Sequence, residues 1–81
     1  MPTILRIAGA RVIIYPNDHW PEHVHIKAAE REVVIELNCP DGPVAVRENY
    51  GFSGLQLGRL KEQLAEVLME LCAAWEEIHE G

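Results

Sequence analysis

No run of apolar residues in the chain approaches the roughly 20 that a membrane-spanning helix needs, so nothing in the sequence reads as a membrane segment. Basic residues are scarce: seven Lys and Arg stand against thirteen Asp and Glu, a formal net charge of −6. Phosphate binding draws on clustered Lys and Arg, so this balance argues against nucleic acid as a direct partner. Only two cysteines occur, Cys39 in an expected turn and Cys72 on an expected helix. Neither a disulfide framework nor a paired-thiol metal motif is read from them, and Cys72 is assigned to the core. The glycines are scattered without phosphate-loop spacing, and no Ser, His, Asp series indicates a nucleophilic enzyme. The N-terminus lacks the basic region and apolar stretch of a signal peptide, which makes the cytoplasm the expected compartment.

What is present is ordinary globular material: 48% of the 81 residues are apolar and 25% are charged, enough for one core and not for two. The expectation is one domain over residues 1–81, with a sheet over 3–47 and a helix over about 54–78. That is an α+β fold, a small antiparallel sheet of two β-hairpins with a short fifth strand, packed on one long C-terminal helix.

Thr3–Ala8 and Arg11–Tyr15 are β-branched-rich runs joined at Gly9, which can supply the positive φ of a tight hairpin. Residues 16–22 carry two prolines and an Asn-Asp pair and read as a loop. His23–Ala28 alternates with period two, and Arg31–Leu37 follows with Val33, Ile35 and Leu37 on one face. Val44–Arg47 is the short edge strand. Ser53 and Gln56 have capping-box spacing, and Leu60, Leu64, Val67, Leu71 and Trp75 lie on one helical stripe. A helix of that length outruns the face of a small sheet, so part of the stripe is expected to meet a partner protein. The helical half is also the acidic one, and Glu76, Glu77 and Glu80 crowd its last turn.

Three of the four histidines fall between Asn17 and His25. His23 and His25 share one face of a strand, opposite Val24 and Ile26, and are expected to face solvent or a cleft. Three readings stay open. In the first the imidazoles serve only the loop; in the second His19, His23 and His25, with Asp18, hold a divalent transition metal; in the third His23 and His25, helped by Arg6, act as general acid and base. Asp18, His19 and Trp20 are the candidate ligand-binding residues, with Trp20 either a loop anchor or a ligand contact. Glu76 and His79, at i and i+3, form one isolated carboxylate–imidazole pair.

Met1-Pro2-Thr3-Ile4-Leu5-Arg6-Ile7, the Pro-x-His-Val-His stretch ending at His25, Tyr50-Gly51-Phe52-Ser53 and Ala74-Trp75 together resemble a family of small uncharacterised bacterial proteins, one of the domains of unknown function. The resemblance spans almost the whole chain. It implies a stand-alone bacterial protein, often encoded beside another small protein in toxin–antitoxin-like pairs. The expected function is therefore protein interaction through the helix, in such a pair or a regulatory one. The alternative is a metal-binding or histidine-dependent hydrolase or ribonuclease centred on the His-Val-His strand. For that alternative, Arg6, Arg11, Lys27 and Arg31 would have to gather on one face to offset the net charge.

Overall fold

The computed structural model describes residues 3–7 and 9–80. The remaining four, Met1, Pro2, Ala8 and Gly81, lie outside it, and with them the first two residues of the N-terminal motif and the expected end of the first strand. Five strands follow in chain order: β1 Thr3–Ile7, β2 Ala10–Ile13, β3 His23–Ala28, β4 Arg31–Glu36 and β5 Ala45–Tyr50. They form one antiparallel meander in the order β1-β2-β3-β4-β5. Gly9, at φ 79°, makes the first hairpin turn in the left-handed region that glycine tolerates best. The edge strand β5 is longer than expected and starts one residue later, because a register shift between Val34 and Ile35 keeps it paired as far as Tyr50.

Period-two alternation sorts the sheet into two faces. Val12, Val24, Ile26, Val33, Ile35 and Leu37 lie on one, all fully buried. On the other face, cross-strand register places His25 between Ile13 and Val34.

The single long helix of the sequence reading is two: α1 Gly54–Glu66 and α2 Leu68–Glu80. At Val67 (φ −120°, ψ 21°) the amide bonds back to the Leu64 carbonyl at 3.1 Å, a tight i−3 turn, before the helix resumes. The stripe survives the break, since Leu60, Leu64, Leu68, Leu71 and Trp75 are all buried against the sheet. The large apolar side chains exposed on the helices, among the described residues, are Leu55 and Met69. Ser53 caps α1 as its sequence indicated: its hydroxyl accepts from the Gln56 amide at 3.2 Å, and the Gln56 side chain accepts from the Ser53 amide at 2.9 Å.

The cysteines differ from expectation. Cys39 and Cys72 form a disulfide, with Cα atoms 6.0 Å apart. The turn after β4 packs under the start of α2, close enough that a side chain at Gly42 would meet Leu68 at 3.2 Å. Sequence spacing alone does not disclose such proximity between a turn and a helix. Cys72 does pack against the core as assigned.

Leu64→Ala should cost about 2–5 kcal/mol by removing a fully buried side chain, read as a lower urea midpoint at unchanged slope. Ser53→Ala should cost about 0.5–2 kcal/mol in the same measurement.

Candidate functional site

The site forms where the loop before β3 folds back over the start of that strand. Two prolines keep the loop out of the ladder, and it is fastened from three directions. The Asp18 amide bonds the Tyr15 carbonyl at 3.0 Å, closing a turn. The Leu37 amide reaches the Glu22 carbonyl, also at 3.0 Å, extending the β3–β4 pairing into the loop. The end of α2 supplies the third fastening: His79 stacks on Trp75 with ring centroids 3.8 Å apart. Its Nδ1 lies 2.9 Å from the Trp75 carbonyl oxygen and its Nε2 lies 3.0 Å from that of Asp18. A ring carrying both protons donates to the two carbonyls together. Trp20 packs edge-on against Trp75 at 5.6 Å, so it anchors the loop while staying half-exposed.

Held this way, Asp18 projects between the two strand histidines. Its Oδ2 lies 3.3 Å from His23 Nε2 and 3.2 Å from His25 Nε2. Among the described residues, Asp18, His23 and His25 form the group that could hold a metal ion, with one potential ligand atom from each falling within 4.8 Å of the others. The far nitrogens of both rings are already engaged. His23 Nδ1 lies 2.9 Å from the Pro21 carbonyl oxygen, and His25 Nδ1 lies 3.2 Å from Glu32 Oε2. Where Nδ1 is the donor in these contacts, each Nε2 turns a lone pair towards Asp18; where Nε2 carries a proton, the same ring faces the Asp18 carboxylate as its ion-pair partner.

Two lone pairs and a carboxylate oxygen at such distances repel unless a proton or a metal ion lies between them. Asp18 Oδ2 and His25 Nε2 are buried and face each other at 3.2 Å, within ion-pair distance but without hydrogen-bond alignment. Ligand bonds of about 2.0–2.1 Å in a tetrahedral shell put neighbouring donors about 3.3–3.4 Å apart. The two Asp–His separations, 3.3 and 3.2 Å, are close to that edge and are equally those of an imidazole–carboxylate ion pair.

The expected site residues divide. His23, His25 and Asp18 come together; His19 is exposed and stands outside the cluster, though it lines the adjoining cavity of about 210 Å³ with Trp20, His23 and Arg47. Arg6 does not reach the histidines. It sits on β1, two strands from β3, about 10 Å across the sheet. Arg47 is the arginine at the mouth, brought there by the β5 register shift that no local sequence signal announces. Glu32, the partner of His25, was readable from a two-residue turn between Ala28 and Arg31, which pairs Lys27 with Glu32 one step from His25. Nor is His23 a solvent-facing strand residue: it is buried and lies 5.1 Å from the Trp75 ring, because α2 and the loop wrap over the end of β3. His79 ligates nothing with Glu76 and clamps the loop instead.

The same face continues beyond the cluster. Tyr15 meets His25 edge-on at 4.9 Å, and Lys27 lies over the Tyr15 ring, 5.6 Å from its centroid. The Tyr15 hydroxyl, and then the charge of Glu32, hold the Lys27 ammonium above its ordinary value.

His79→Ala should loosen the loop, costing about 1–3 kcal/mol of stability through the unpartnered carbonyls. Amide exchange at residues 17–20 should accelerate, while exchange at residues 31–36 should follow the global stability alone.

No helix among the described residues is long and apolar enough to cross a membrane. Neither the curated proteins nor the solved structures contain a match to this chain. A family model does match, over residues 9–76, and it spans the loop, the histidine strand and the Trp75 clamp; the chain belongs to the family described as the domain of unknown function DUF4160.

Proposed function

We propose that this protein is a metal-dependent hydrolase whose ion is held by Asp18, His23 and His25. The observation that carries the reading is the convergence of two imidazole Nε2 atoms on one buried carboxylate oxygen that makes no aligned hydrogen bond. Two nitrogens and one oxygen suit zinc, ferrous iron, nickel or manganese. Three protein ligands leave a coordination position open, as catalytic rather than structural sites do. An ion held there supplies Lewis acidity to a water or a substrate oxygen. The chain's own residues orient and neutralise: Pro21 and Glu32 fix the imidazoles, the clamp from α2 positions Asp18, and Arg47 places positive charge at the mouth, where negative charge would develop on a substrate.

Calorimetric titration of the metal-free chain with zinc, nickel and manganese should show one saturable site. Affinity should fall as pH is lowered from 7 to 5, since protons compete for the imidazole lone pairs. Asp18→Ala and His25→Ala should each abolish the site with the fold retained, as read by circular dichroism. His23→Ala is the poorer probe because that ring is packed against Trp75. No saturable uptake of any of the three ions would exclude the reading.

The edge strand β5 favours a second reading, a protein partner joined by strand addition. All six of its residues are exposed, Val46 and Tyr50 among them. Such a partner would be the protein encoded alongside in a toxin–antitoxin-like pair. Val46→Pro should abolish its co-purification and leave metal uptake intact.

A further inference from the structure

The net charge of −6 conceals where the cations lie. Of the seven Lys and Arg residues, Arg6, Arg11, Lys27 and Arg31 line one open cleft of about 420 Å³ together with Glu30 and Glu32. Cross-strand register explains the gathering. Arg6 pairs with Arg11, Arg11 with Lys27, Lys27 with Glu32 and Glu32 with Tyr50, one row of side chains on the helix-free face. Four strand spacings of about 4.8 Å make this row roughly 19 Å long. Like charges directly opposite each other destabilise a sheet, so Arg6, Arg11 and Lys27 side by side mark a surface arranged for an anionic ligand.

We infer that this face binds the phosphodiester backbone of a single-stranded nucleic acid and delivers it to the site between His23, His25 and Asp18, which makes the substrate of the proposed hydrolase a phosphodiester. The inference rests on the metal-site reading for its chemistry and on the cation row for its substrate. Lys27 and His25 are two residues apart on the same face of β3, about 6.6 Å, and Tyr15 touches both. A strand lying along the cation row therefore passes one same-face residue from His25, separated from the buried cluster atoms by the Tyr15 ring. Tyr50 ends the row, more than half exposed, with its hydroxyl donating to Glu48 at 3.0 Å, and the Tyr15 ring lies beside the row under the Lys27 ammonium. Aromatic rings on an open sheet face are platforms on which unpaired bases stack. A duplex fits less well, since groove reading uses a protruding basic helix, whereas α2 carries Glu70, Glu76 and Glu77 on the far side of the sheet. Glu32 interrupts the positive row, but its carboxylate is committed to His25 Nδ1.

The test is fluorescence anisotropy of labelled 12-nucleotide oligo(U) and oligo(dT) with the full chain in EDTA, so that binding is read without turnover. The expected result is saturable binding that weakens with salt, with a slope of roughly −2 on logarithmic axes for three phosphate contacts at about 0.7 each. Arg11→Ala with Lys27→Ala should lower affinity at least tenfold at low salt and flatten the slope to about −0.7. Arg11→Lys with Lys27→Arg should restore binding, which separates lost charge from lost fold. Arg59→Ala with Lys61→Ala on α1 should change nothing. Asp18→Ala should still bind both strands, so failure of the metal reading and failure of this one give different results. Absence of binding at 50 mM salt would overturn the inference. So would equal loss in the α1 control, duplex bound as tightly as single strand, or polyglutamate binding with the same affinity and the same dependence on Arg11 and Lys27.

Discussion

Trp75 is the residue on which the arrangement depends. Its side chain is fully buried, yet its neighbours come from separate parts of the chain: Trp20 from the loop, His23 from the start of β3 and His79 from the next helical turn. An indole that size withdraws enough apolar surface from water to hold a short loop in place. Without it the loop would have only its own turns, and a loop rich in proline and charge buries little by itself. Because the loop is held, Asp18 stands between two histidines of a strand whose register is set independently by β2 and β4. The site thus joins two rigid pieces, the end of the central strand and the end of a helix, through one carboxylate.

Electrostatics on the two faces of the sheet differ in kind. The helical layer is acidic on its outer side and buries its apolar stripe inward, so its charges are solvated and serve solubility. The other face gathers like charges in one row, an arrangement that opposes folding, and two imidazoles around one carboxylate in another. Local conflicts of this sort sit where sequences accept a stability cost for a ligand. The sign of the whole molecule therefore says little about what this face attracts.

Much of the architecture was legible because it follows from periodicity. The strand His23–Ala28 carries a period-two pattern with both imidazoles on one face, and the capping box at Ser53 marks the start of α1 to the residue. What periodicity cannot express was missed. The break at Val67 carries no Gly or Pro signal, so the helix reads as continuous. The Cys39–Cys72 bond joins a turn to a helix 33 residues on, a distance that only tertiary packing sets. In the site, the strand histidines and Asp18 were within reach of the sequence, whereas His19 was drawn in by proximity in the chain alone and stands exposed. Arg47 replaces Arg6 beside the histidines because a register shift in β5 moved it there. Burial of His23 escaped notice because strand alternation describes two faces and not what wraps around a strand's end.

The central claim is that Asp18, His23 and His25 converge on a cation. The most direct measurement is an anomalous-difference map from crystals of the metal-free chain soaked in zinc. The account predicts one strong peak at about 2.0–2.2 Å from Asp18 Oδ2, His23 Nε2 and His25 Nε2, with His19 remote from it. Absence of a peak there, or zinc held by His19 at the loop surface with the triad unchanged, would contradict it.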